Sequence, residues 1–407
     1  MSVPGGRPPR ALPAGWVVFA IVVLALNLRP PFTGPGALLP AISADLGLTG
    51  VEAGLLTTLP VACLGVFGVL APVLRRRWGD EGAVLLALPL LLVGDLLRLG
   101  PDRLTLFAGT VLVGAGIGIV SVALPGLIKR EFPRHVTLVT SLYTTCLTLG
   151  AAAAAAVVVP VQHAAGGSWR VPLGALVPLA LVASLAWLPA VRSVHRPEDP
   201  SGPSVVLRRS PLAWQVTGFM GLQSLLAYVT FGYLATIGQF RGLADTEAGV
   251  LLSVSSLVQA AGSLFLPVMA RGRRDQRWLT VLTTSLVVTG YVGVVLAPLG
   301  QIWFWAVVLG FGQGAGFGLA LSLIGLRAGD AAIAARLSSM AQGIGYVVAA
   351  TGPLVVGVLS EISGGWTVPL VVLLGVAAVQ LACGLGAGRA VRIGAVVERQ
   401  PAREHVG

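Results

Sequence analysis

Apolar stretches recur along the chain with short polar gaps between them, at approximately 15–40, 51–74, 83–100, 104–128, 136–161, 170–191, 211–238, 247–270, 278–298, 301–326, 336–360 and 366–388. Each can cross a hydrocarbon layer about 30 Å thick, which takes about 20 residues of helix. None alternates polar and apolar positions at every second residue, as a membrane-spanning β-barrel strand would. Backbone N–H and C=O groups in hydrocarbon must be bonded within their own segment, so each stretch is expected to be a helix. The pattern predicts an all-α membrane protein with twelve transmembrane helices.

Two stretches recur at nearly one offset. Glu52-Ala53-Gly54, Pro72-Val73 and Asp80 are matched 195 positions later by Glu247-Ala248-Gly249, Pro267-Val268 and Asp275. Gly114, Gly116 and Gly118 are matched 200 positions later by Gly314, Gly316 and Gly318. Both matches fall in equivalent helices, which predicts two pseudo-symmetric six-helix bundles, 15–191 and 211–388. Tails at 1–14 and 389–407 and a linker at 192–210 complete the chain. Transporters are commonly built from such repeats, with the solute site near the midplane between them.

Composition agrees. Of 407 residues, 55% are hydrophobic and 11% charged, with a mean hydropathy of +0.88; soluble domains carry about a quarter charged residues. The net charge of +11 forms no basic stripe of the kind nucleic acid requires. It sits in the gaps between spans, where it reports topology. With the N-terminus inside, 22 of the 27 Lys and Arg residues face the cytoplasm and only Arg103, Arg170 and Arg241 face out. Both termini are therefore expected in the cytoplasm, with the chain multi-pass in the cytoplasmic membrane. The first apolar stretch is long enough to stay in the bilayer, so no cleavable signal is expected. Cys63, Cys146 and Cys383 and the four histidines are scattered, which predicts neither a disulfide framework nor a metal site. Gly114, Gly116 and Gly118 lack the strand that a nucleotide fingerprint needs, and close helix packing explains them better. No cofactor is expected.

Two six-helix halves with cytoplasmic termini and a basic central loop resemble the major facilitator superfamily. Within it, Leu26-Asn27-Leu28-Arg29-Pro30, Leu124-Pro125…Lys129…Phe132-Pro133, Ser141-Leu142-Tyr143-Thr144-Thr145 and Gly221-Leu222-Gln223-Ser224 are similar to the cyanate/2-nitroimidazole transporter family. The loop after the second helix keeps Gly68, Arg76 and Arg77 of the superfamily pattern. It has Pro72 where an Asp belongs and Val73 where the first Arg belongs. The helix-4 Arg of many proton-driven drug exporters is also missing, so proton antiport by that route is not expected.

Arg29 is the most informative residue. It lies about 21 Å along helix 1 at 1.5 Å per residue, too deep to snorkel easily. A guanidinium there must face a watery cavity or a partner. Its planar fork suits a delocalised anion; the competing role is bonding to carbonyls freed by Pro30 and Pro31. Asn27, two residues earlier, points to another side of an ideal helix. Gln223 lies at similar depth in helix 7, as a solute contact or an interhelical bond, and Tyr228 is expected to shape an outer wall. Tyr143 in helix 5 and Gln342 and Tyr346 in helix 11 occupy equivalent helices and suit a small flat solute, or simply pack. Gln259 and Gln313 rank lower. Asp95 and Arg98 form an i, i+3 pair, read first as an internal ion pair and second as a proton-coupling site.

These features predict a monomeric secondary transporter for a small polar or anionic solute, with lipid as its other partner. The resemblance implies cyanate-like anions or nitroimidazole-type heterocycles. The alternatives are a broad-specificity drug exporter and a non-transporting membrane receptor. Paired carboxylates, a metal cluster and an activated nucleophile are all missing from the sequence, which argues against an enzyme.

Overall fold

The computed structural model describes residues 13–132, 135–189, 207–270, 273–329 and 331–394. Most of the expected linker at 192–210 and parts of both tails lie outside them. Helices Ala14–Leu28 (α1) and Pro30–Leu46 (α2) form the first span, interrupted at Arg29. Gly50–Leu97 (α3) covers the second and third. Arg103–Glu131 (α4), Val136–Ala164 (α5), Arg170–Gly174 (α6) and Leu176–Trp187 (α7) complete the first half. The second half comprises Pro211–Phe240 (α8), Asp245–Ala270 (α9), Arg277–Leu296 (α10), Ile302–Arg327 (α11), Ala331–Ser363 (α12) and Thr367–Ala387 (α13).

By length and composition, eleven helices among the described residues can cross a membrane. The expected third span is the remainder of α3 after Gly79, and Asp80, Glu81 and Asp95 set it apart. Gly79 (φ 71°, ψ 178°) supplies the non-helical turn between the two spans of α3, a conformation open essentially only to glycine.

The sequence repeat has physical causes. Glu52 closes a capping box: its carboxylate accepts from the Thr49 N–H (2.8 Å) while its own N–H donates to the Thr49 hydroxyl (3.2 Å). Glu247 likewise accepts from the Ala244 N–H (3.0 Å) at the start of α9. These bonds satisfy N–H groups that a helix start leaves unpaired. The glycine stripes are also equivalent. A Cβ on Gly114 or Gly118 would run into α3 around Pro60–Leu64, and one on Gly314 would run into the Gln259 carbonyl of α9. In each half the small residues let two helices approach backbone to backbone.

Arg103, Arg170 and Arg241 lie at one end of the bundle, and each is tied to backbone carbonyls there. Arg103 donates to Leu46 and Gly47, Arg170 to Gly100 and Pro101, and Arg241 to Val294, Val295 and Ala297. At the opposite, basic end, Arg327 donates to the carbonyls of Ala387 (2.7 Å) and Gly388 (3.0 Å). Arg130 pairs there with Glu81, Asp80 and Glu131.

Candidate functional site

The break at Arg29 follows from its neighbours. Pro30 and Pro31 have no N–H, so the carbonyls of Leu26 and Asn27 lose their helical donors. The helical hydrogen bonding is interrupted at Arg29 (φ −107°, ψ −34°) and restarts with Phe32 and Thr33 donating to the Arg29 carbonyl (3.0 and 3.3 Å). Pro35 removes the donor for the Pro31 carbonyl as well. Arg98 fills that gap: its Nη2 donates to the Pro31 oxygen at 3.3 Å and its Nε to the Thr110 hydroxyl at 3.1 Å. The carbonyl-bonding role that competed for Arg29 thus belongs, at this proline, to Arg98.

The Arg29 guanidinium itself has no hydrogen bond or ion pair with any described residue. Three aromatic rings surround it, Tyr228, Phe231 and Phe317, with centroids 5.8, 5.2 and 5.8 Å from Cζ. Such contacts favour a cation by about 0.5–2 kcal/mol each and leave its donors free.

Arg29 lines a cavity of about 680 Å³ between the two halves. Its walls are regular helix stripes: Thr144, Leu147, Thr148 and Ala151 from α5, and Ser224, Ala227, Tyr228 and Phe231 from α8. Gln259, Ser263 and Leu266 come from α9, and Gln313 to Gly325 at intervals from α11. The cavity runs from Arg29 toward the basic end of the bundle. In the other direction it is closed. Phe32 packs against Tyr228 with ring centroids 5.3 Å apart, a void of about 10 Å³ bounded by Pro31, Thr57, Tyr228 and Phe231 lies beyond them, and a separate cavity of about 310 Å³ beside Leu39, Tyr233 and Trp366 lies nearer that end. Gly36 of α2 is pressed so closely on α8 that a Cβ there would lie 2.2 Å from the Phe231 carbonyl oxygen.

A sequence model of the Major Facilitator Superfamily matches residues 15–353. The 2-nitroimidazole transporter of Escherichia coli (strain K12) is 40% identical over 381 residues, covering 92% of this chain and 95% of that protein. The cyanate transport protein CynX of the same organism is 33% identical over 359 residues, covering 86% and 91%. The chain belongs to the major facilitator superfamily. A bacterial homologue of the human lysosomal transporter Spinster, crystallised inward-facing and unoccupied, has the same fold with a TM-score of 0.72 at 15% identity, covering 96% of this chain and all of that one. The protein is a multi-pass membrane transporter of two six-helix halves, and its relatives are transporters rather than enzymes.

Within this facilitator the sequence-predicted residues separate into two groups. Arg29 and Tyr228 line the cavity. Tyr346 packs edge-on behind Tyr228 at 6.3 Å, and Tyr143, Tyr228 and Tyr346 all lie within electrostatic reach of Arg29. Asn27 is turned away. Its Nδ2 donates to the carbonyls of Val23 (2.8 Å) and Leu179 (3.2 Å), pinning α1 to α7. Gln342 donates to the Ser338 hydroxyl at 2.7 Å, off the cavity wall.

Gln223 is fully buried behind the wall. Its Nε2 donates to the Gln313 carbonyl (2.8 Å) and its Oε1 accepts from Gln380 (3.3 Å). The two lower-ranked glutamines are the ones on the cavity: Gln259 Nε2 donates to Gln313 Oε1 (3.2 Å), and Gln313 Nε2 donates to Thr230 (2.7 Å). Asp95 and Arg98 are both buried, 3.8 Å apart, and neither touches the cavity. Among the described residues no cluster of His, Cys, Asp and Glu could hold a metal ion.

Ser224, Thr144 and Thr148 line the cavity without having been assigned a binding role from the sequence. The signal was present as small hydroxyl residues at i, i+4 spacing on α5 and as the repeat partner of Arg29 on α8.

Proposed function

We propose that this facilitator carries a small, flat organic anion across the cytoplasmic membrane by alternating access, as a monomer with both chain ends in the cytoplasm. One observation carries the reading: a guanidinium with no counter-ion among the described residues stands at the blind end of a cavity between the halves. A charge held at that depth is matched when an anion arrives, and the fork can bind it in a bidentate way. The remaining wall is mainly apolar, with Leu147, Leu266, Phe317 and Leu321, which suits the face of a planar solute. At about 680 Å³ the cavity falls in the range of about 300–1,000 Å³ that holds drug-sized ligands. The two Escherichia coli relatives, named for 2-nitroimidazole and cyanate, support a compact, delocalised solute.

The test is uptake into proteoliposomes of labelled cyanate, 2-nitroimidazole and benzoate-type anions. Arg29→Ala is expected to abolish uptake, and Arg29→Lys, which keeps charge but loses the fork, to cut it by about tenfold or more. Unchanged uptake in both variants would remove Arg29 from the binding step. The apolar wall also favours a second reading, a broad-specificity exporter. Competition by neutral and anionic compounds of equal size separates the two, because only the exporter is indifferent to charge.

A further inference from the structure

The 195-residue offset that relates Glu52 to Glu247 also takes Arg29 to Ser224. The two residues line one cavity from opposite halves. Ser224 is 3% exposed, and its Oγ is buried without a hydrogen-bond partner. Leaving a buried hydroxyl unpaired is costly. Hydroxyl residues inside helices usually escape that cost by donating to the carbonyl four residues back. Thr217 and Thr230 do so on this same helix, to Ala213 and Leu226. Ser224 does not.

Its position adds a distance. Tyr228, whose ring lies 5.8 Å from the Arg29 guanidinium, is one turn further along the same stripe, about 6 Å at 1.5 Å per residue. Gln259, on the α9 wall, spends one N–H on Gln313 and keeps its other N–H and its Oε1 unbonded to any described residue.

We propose that Ser224 is a substrate-binding residue whose hydroxyl takes a second polar atom of the solute held by Arg29. Each half of the protein then grips one end. This rests on Arg29 being the anion site, and it narrows the substrate class. The solute is a planar monoanion bearing a hydrogen-bonding substituent remote from its charge. An unsubstituted aromatic carboxylate meets only one of the two groups.

The test uses the full-length protein in proteoliposomes with 4-hydroxybenzoate and benzoate as paired probes. Ser224→Ala is expected to raise KM for 4-hydroxybenzoate about tenfold, the loss of one hydrogen bond to a polar ligand group, and to leave KM for benzoate unchanged. Ser224→Thr, which keeps a hydroxyl, is expected to restore the wild-type preference. Two results overturn the assignment while Arg29→Ala still abolishes uptake: an unchanged KM for 4-hydroxybenzoate in Ser224→Ala, or an equal rise for both probes, which marks a packing role. Uptake that survives Arg29→Ala ends the anion reading and this inference with it.

Discussion

Gly36→Ala should unlatch the closed end of the protein. The added Cβ would lie 2.2 Å from the Phe231 carbonyl oxygen, where real Cβ contacts do not fall below 3.0 Å. The obstacle is backbone of α8, which cannot swing aside as a side chain could, so α2 and α8 must part by about 1 Å. Overpacking of this kind costs about 1–3 kcal/mol. The cost falls on the state described here, in which the two helices meet, and not on a state in which the halves have separated at this end. The equilibrium between the two should therefore move by about 5- to 150-fold toward opening. A cysteine at Thr57, beside the small void under the Gly36 contact, reports it. With Cys63, Cys146 and Cys383 replaced by serine, a membrane-impermeant maleimide should label Thr57→Cys at least about fivefold faster when Gly36 is Ala. Labelling within twofold of the Gly36 parent would refute the reasoning, because α2 and α8 would then not form the closing contact.

Two further substitutions probe what lies behind the cavity wall. Arg98→Met removes the donor to the Pro31 carbonyl and strands a buried carboxylate at Asp95. A loss of about 3–5 kcal/mol is expected, read as a lower melting temperature in detergent, and Asp95→Asn in the same chain should recover part of it. A double variant no more stable than Arg98→Met would show that the two charges are not coupled. Gln223→Ala should leave the KM of any transported anion within twofold of wild type. It should lower stability by about 1–3 kcal/mol, because Gln380 and the Gln313 carbonyl lose their partners. A raised KM with unchanged melting would return Gln223 to the binding site.

The sequence reveals depth better than direction. Apolar length places Arg29 and Gln223 at similar depth in their spans. It does not say which way each points. Gln223 and Tyr143 are each one residue from a cavity stripe, at Ser224 and Thr144, and one residue is 100° of rotation on a helix. In a soluble helix, amphipathic periodicity would resolve that angle. On α8 it cannot, since the helix is buried nearly all round from Leu212 to Gly238. Asn27 shows the same limit: its polarity marks a bond to α7, not a contact with solute. The repeat, by contrast, was legible because glutamate caps and glycine stripes act through spacing alone. The break at Arg29 was likewise written in Pro30 and Pro31, but the help Arg98 gives to Pro31 joins residues 67 positions apart and leaves no local trace.

The unneutralised guanidinium has an electrical corollary. An empty carrier holds one fixed positive charge at mid-depth, and a carrier loaded with a monoanion holds none. Moving one elementary charge through a full potential of 100 mV is worth about 2.3 kcal/mol. Whatever fraction of that field Arg29 traverses as the halves rock, the return of the empty carrier should respond to voltage and the loaded crossing should not. Membrane potential would then set the rate of turnover through the unloaded half of the cycle, leaving solute affinity untouched.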